Sequence, residues 1–295
     1  MYLYNKYTNK NKNYLIPKYT RNFPVKKDFI LTEIKAFIRR LYIQVCRKPY
    51  NIIVGIIQPL LWLILFGALF QNAPTDLFGQ YNIKYIEFLS YGIMIFTGFT
   101  SSINAGLPII FDREFGFFNR LLISPLKNKN SLFYSLILYT VIITNLQTVH
   151  IIYTSMICFN KIYNFSNIII ISLIAILIII NISNLSISFS LILPGHIEFL
   201  AFTLLINLPT LFSSTALAPL SFMPYWLQFI ACINPLTYAI EIIRNICINN
   251  KVEFNNKIIE TIWFQLSIKD SLILLFLINI ISIVITKKIL KHKYN

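Results

Sequence analysis

Apolar residues in this chain fall into long uncharged blocks separated by short polar stretches. Residues 52–70, IIVGIIQPLLWLILFGALF, carry no charge over 19 residues. At 1.5 Å per residue such a helix is about 28 Å long, close to the thickness of a bilayer's hydrocarbon core. Further blocks of this kind cover residues 88–111, 131–159, 168–193, 199–218 and 271–286. Pro59 lies inside the first block and Pro209 inside the fifth. The pattern predicts an all-α membrane protein with six transmembrane helices.

The segments between the blocks follow other rules. Residues 1–28 are basic and of low complexity, so a disordered tail is expected there. Residues 29–50 show helical periodicity: Ile30, Ile34, Phe37, Ile38, Leu41 and Val45 share a face, with most of the charges elsewhere. This predicts an amphipathic helix at the membrane surface. Residues 221–248 are apolar enough to resemble a seventh span, but Asn234-Pro235 breaks them in the middle and Glu241 and Arg244 charge the second half. A pair of short re-entrant helices before the last span fits better. The transmembrane domain is then 51–290, followed by a basic tail, 291–295.

Composition agrees. Hydrophobic residues make up 56% of the chain and charged residues 13%, with mean hydropathy +0.66. Soluble domains carry about 25% charged residues. The net charge of +15 would suggest nucleic acid in a soluble protein. In this chain the Lys and Arg residues instead set topology. Of the 26, twelve precede residue 52, four lie in 112–130 and four follow 286, leaving six for the other side of a six-span chain. Both termini are therefore expected on the cytoplasmic side or its organellar equivalent. The four cysteines and three histidines form no ligand pattern, and no nucleic-acid motif occurs. Ile, Asn, Lys, Tyr and Phe dominate, and their codons are AT-rich, as in organellar genomes.

Three stretches carry a resemblance. RRLYIQVCRKPYNIIVGIIQPLLWLILFGALF (39–70), YGIMIFTGFTSSINAGLPIIFDREFGFFNRLLISPLKNKNS (91–131) and FMPYWLQFIACINPLTYAIEIIRN (222–245) resemble, in that order and spacing, the permease family of type-2 ABC exporters. The plastid-encoded permeases of algae are the nearest in character. The resemblance implies a permease subunit that provides the substrate pathway and works with a separate ABC ATPase. It also implies a permease homodimer, an exported substrate of unknown kind, and ATP and Mg on the partner with no cofactor on this chain. A plastid membrane is expected, with a bacterial inner membrane as the alternative.

Two segments are candidate functional sites. Asp112, Arg113 and Glu114 end the second span, where the acids are expected to start a new short helix. Phe115, Phe117, Phe118, Leu121, Leu122 and Ile123 follow as exposed apolar candidates, with Gly116 allowing a close backbone approach and Pro125 stopping the helix. A short apolar helix framed by charges reads as a docking knob or as a loop folded back on lipid. By resemblance it is the coupling helix that seats in the ATPase. In the outer segment, Asn234, Pro235, Tyr238, Glu241 and Arg244 read as a structural cap, with Glu241 and Arg244 as an i,i+3 pair, or as an exit gate; the cap is favoured.

Inside the spans, Asn145, Thr148, Asn181, Asn184 and Ser188 are expected to bond between helices. The sequence lacks G-x-x-x-x-G-K-[ST], H-E-x-x-H and G-x-S-x-G, which argues against enzyme chemistry on this chain. An ATP-independent six-span protein, either a protein-translocase core subunit or a proton-coupled carrier, is the competing class. A proton-driven carrier needs ionisable groups within its spans, and His150 is nearly alone there.

Overall fold

The computed structural model describes residues 29–72, 83–123, 130–159, 164–249, 254–261 and 265–294. The tail 1–28, Pro125 and residue 295 lie outside these, as does the side chain of Leu122.

Each apolar block becomes a helix. Helix α1 (Phe29–Arg47) leads through Pro49 into α2 (Tyr50–Leu69). The second block forms α3 (Tyr85–Ser102) and α4 (Leu107–Glu114), followed by the short α5 (Phe117–Ile123). Then come α6 (Asn130–Phe159), α7 (Phe165–Ile192) and α8 (His196–Phe212). A 3-10 turn, Leu220–Phe222, precedes α9 (Tyr225–Ile233) and α10 (Pro235–Asn249), which meet at 88°. Helix α11 (Ile268–Tyr294) is last.

Three boundaries differ from the hydropathy reading. The second span begins at Tyr85 and runs to Glu114 through a turn at Ile103–Gly106. The fifth block is helical only to Phe212, and its remainder forms a turn against α3. Helix α11 extends well past both ends of the uncharged run, because lysines are good helix formers that project beyond the apolar core. A further departure is a small antiparallel hairpin, β1 (Lys257–Glu260) with β2 (Gln265–Ser267), in a chain expected to be all-α. Its strands exchange backbone bonds within the pair and close the loop into α11.

Helix α3 is the centre. Nearly all its side chains are buried, including Phe88, Tyr91, Phe96 and Phe99. Around it, α2, α6, α8 and α11 turn large apolar side chains outward, among them Leu61, Ile64, Leu65, Leu146, Leu204, Leu205, Phe276 and Ile280. Water would not tolerate that surface, and a bilayer supplies the matching solvent. Among the described residues, five helical runs (α3 and α4 counted as one) are long and apolar enough to cross a membrane, or six if the bent pair α9–α10 counts as one; α8, at 17 residues, is shorter.

The two ends of the bundle are distinct. At one end a second apolar cluster joins Leu41 of α1, Ile109 of α4, Phe118 of α5, Leu132, Phe133 and Leu136 of α6, and Ile187 and Leu191 of α7, with Ile289 and Leu290 of α11 against it. The starts of α3 and α11, the end of α8 and all of α10 gather at the other end. Ring contact between Phe70 and Tyr85 joins α2 to α3 there, and backbone bonds from Ile268 and Lys269 to Asn256 and Phe254 join α11 to the hairpin.

Candidate functional site

The first site is the elbow between α4 and α5. It begins at the break in the second span. Ser186 Oγ of α7 donates to the Ile103 carbonyl (2.6 Å) and accepts from the Gly106 N–H (2.9 Å), filling the bonds that the turn leaves open. A Cβ at Gly106 would sit 2.6 Å from the Ser186 carbonyl oxygen, so only glycine lets α7 pass this closely. Pro108 then starts α4.

Asp112, Arg113 and Glu114 follow one another around the last turn of α4, about 100° apart, so each faces a different helix. Asp112 forms an ion pair with Arg40 of α1. Arg113 Nη1 donates to the carbonyls of Ser190 (2.6 Å) and Leu193 (3.0 Å), capping the C-terminus of α7. Glu114 accepts from the backbone N–H of His196 (2.7 Å) and meets its ring Nδ1 at 2.7 Å, which caps the N-terminus of α8. The acids thus end α4 rather than start α5. Arg40 and the start of α8 compensate the unfavourable end of the α4 dipole.

Gly116 separates the helices. Its φ of 69° is left-handed, and nothing lies within 4 Å of the place a Cβ would take. The glycine is there for the turn and not for the close approach expected of it. On either side the phenylalanines diverge. Phe115 is 81% exposed, with its ring stacked on Phe111. Phe117 lies under the Arg40 guanidinium at 4.4 Å. Phe118 is buried in the second cluster, contrary to the exposed position expected, and Leu121 packs partly against it. Ile123 is exposed. Sequence reading missed Arg40 and His196 as partners of this loop. Their separations from it, 72 and 82 residues, leave no local pattern to find, although Pro194-Gly195 does mark a helix start at His196.

The second site is the α9–α10 elbow at the other end. Asn234 Oδ1 accepts from Leu236 N–H (3.0 Å), and its Nδ2 donates to the Thr210 carbonyl of α8 (2.9 Å). Tyr238 Oη donates to the Cys232 carbonyl across the bend. Glu241 and Arg244 form the expected ion pair, and both are buried. The Arg244 guanidinium also donates to the Thr215 carbonyl (2.8 Å) and lies 3.6 Å from the centroid of the Phe88 ring. Beside it, the backbone of Ala216 sits against Gly92 so closely that a Cβ there would be 2.5 Å away. Of the residues named from sequence, Asn234 thus ties the elbow to α8, and Arg244 ties it to α3 and the turn after α8, while Tyr238 and Glu241 bond within the α9–α10 pair.

Polar residues within the helices bond across the bundle less than expected: Thr148 and Asn184 bond within their own helices, and Ser188 meets Thr286 of α11. Gln147 Nε2 of α6 donates to the Ile52 carbonyl of α2 (3.3 Å), and Thr148 Oγ1 to Asn145. His150 faces outward. Among the described residues no group of three His, Cys, Asp or Glu side chains is placed to hold a metal.

The sequence profile of the ABC-2 type transporter family matches residues 32–248. The chain belongs to that family. Its relatives include proteins named "Putative transport permease ycf38" from Porphyra purpurea, 46% identical over 90% of this chain and 91% of the relative, and from Pyropia yezoensis, 47% identical over the same shares. The protein of that name from Cyanophora paradoxa is 44% identical over 89% of this chain and 90% of its own length. This ABC-2 protein is an integral membrane permease subunit of an ABC transporter, which sets aside the translocase and proton-carrier readings.

Proposed function

We propose that this permease forms the membrane half of an ABC exporter and that its α4–α5 elbow seats in a separate ATPase chain. The observation that carries the reading is Phe115: a large aromatic side chain, 81% exposed, at the tip of a turn whose neighbours are fixed to α1, α7 and α8. An exposed anchor on a fixed support is what a protein interface uses. Because Asp112, Arg113 and Glu114 each hold a different helix, a push on the elbow reaches three helices through bonded contacts.

The rest of the reading follows from the two ends of the bundle. Six crossings, with α8 and the turn after it as the fifth, put both termini on the ATPase side, stromal in a plastid. The charge asymmetry supports that orientation. The α9–α10 pair then dips into the far leaflet as a cap, with Tyr225 and Trp226 at the headgroups. ATP and Mg belong to the partner chain, since this sequence has no phosphate-binding loop. Two copies of the permease pair with two ATPases about a two-fold axis. The algal relatives and the AT-rich residue usage point to a plastid membrane.

The test is purification of the tagged chain from its own membrane in mild detergent. An ABC ATPase is expected to accompany it, and Phe115→Ala is expected to release most of that ATPase while leaving the permease monodisperse. Equal recovery of ATPase with Phe115→Ala, or no ATPase with either chain, would overturn the proposal.

A further inference from the structure

Helices α7 and α11 carry the same polar spacing. Asn181, Asn184 and Ser188 stand at i, i+3 and i+7 on α7, and Asn279, Ser282 and Thr286 stand at i, i+3 and i+7 on α11. Each set keeps to one face of its helix. The helices run in the same direction, and a hydrogen bond of 2.9 Å joins Ser188 Oγ to Thr286 Oγ1. With equal rise per residue, that pairing sets the rungs above it: Asn184 is level with Ser282, and Asn181 with Asn279. All six side chains are buried.

Only the first rung is joined. Thr286 Oγ1 donates also to the Asn184 carbonyl (3.1 Å). Farther along, side chains turn back on their own helices: Asn184 Nδ2 to Ile180 O (2.7 Å), Ser282 Oγ to Asn279 O (2.8 Å) and Asn279 Nδ2 to Leu275 O (3.0 Å). What remains is complementary. Neither amide atom of Asn181 has a partner among the described residues, and neither does Asn279 Oδ1. One helix offers a free N–H donor and the other a free carbonyl acceptor at the same level. Facing carboxamides on packed helices, whose axes are about 8–10 Å apart, lie within reach of each other. Both groups are buried within the bundle, so their pairing is favoured over leaving both open.

We infer that rotation of the two side chains brings Asn181 Nδ2, unpaired among the described residues, to donate to Asn279 Oδ1, and that this pair, with Ser188–Thr286, positions the last helix on α7. Asn181 and Asn279 are positioning residues: they hold the register of α11 without touching substrate.

Register can be read separately from stability. Cys46, Cys158, Cys232 and Cys247 are replaced by alanine, and Ser188→Cys with Thr286→Cys is introduced as a reporter in membrane vesicles. Mild oxidation is expected to link the two. Without the hydroxyl pair, the amide pair is the remaining lock, so Asn181→Leu or Asn279→Leu should each lower the disulfide yield about threefold or more. Combining them should cost nothing further, and Asn181→Gln should keep most of the yield. A second reporter, Asn181→Cys with Asn279→Cys, should also link, and it serves if the leucine variants misfold. Unchanged yield in the leucine variants, losses that multiply in the double variant, or linkage at 188/286 without linkage at 181/279 would overturn the inference.

Discussion

Phe115 and Phe118 are three residues apart and face opposite environments: one is 81% exposed and the other 3%. Their substitutions should therefore separate binding from folding. Phe115→Ala should leave the melting temperature of the detergent-solubilised permease unchanged and weaken ATPase binding by about 2 kcal/mol or more, measured by titrated pull-down. Phe118→Ala removes a ring from the packed cluster under the elbow. It should cost about 3 kcal/mol of stability, visible as a lower melting temperature. Arg244 offers a similar contrast at the other end. Arg244→Ala strands the Glu241 carboxylate in the core and should destabilise by about 3–5 kcal/mol, whereas Glu241→Met with Arg244→Met removes both charges and should cost much less. A melting curve for each variant decides between these outcomes, and equal losses would mean that the pair is not buried as described.

At the scale of elements, the long apolar runs were legible because a bilayer demands them: α2, α6 and α7 follow the uncharged blocks to within a few residues. The bend at Asn234-Pro235 was legible for the same kind of reason, since proline breaks a helix wherever it lacks the support of its neighbours. The inner turn at Ile103–Gly106 was hidden. The bonds that stabilise it come from Ser186, 80 residues away, and the intervening sequence stays apolar. The turn between α4 and α5 falls at Gly116, after the charged triplet, but the interior of the elbow was not legible. Burial of Phe118 depends on α1 and α6 arriving from elsewhere in the chain, and the roles of Asp112 and Glu114 depend on Arg40 and His196. The hairpin was missed because its strands are too short to carry a period of two. The α9–α10 pair gives a prediction at this scale. Single cysteines at Pro224 and Asn249, before and after the pair, should react with a membrane-impermeant thiol reagent from the same side of sealed vesicles. Reaction from opposite sides would make the pair a full crossing.

For the whole molecule, the outward apolar helices and the asymmetry of charge are two views of one requirement. The middle of the bundle must match lipid, and the cations must remain on the side where they are held. The described ends of the chain both lie at one end of the bundle: Phe37 and Leu41 of α1 and Ile289 and Leu290 of α11 meet in the cluster beneath the elbow. Cysteines at Leu31 and His292, both exposed, should therefore be labelled from one face of oriented vesicles, and labelling from different faces would exclude an even number of crossings. The central claim is that this same face receives the ATPase through the elbow. A photo-crosslinking amino acid placed at position 115, compared with one at position 226 on α9, tests it most directly in the intact membrane. The account predicts an ATPase adduct from position 115 and none from position 226. An adduct from 226, or none from 115 in a complex that still co-purifies, would contradict it.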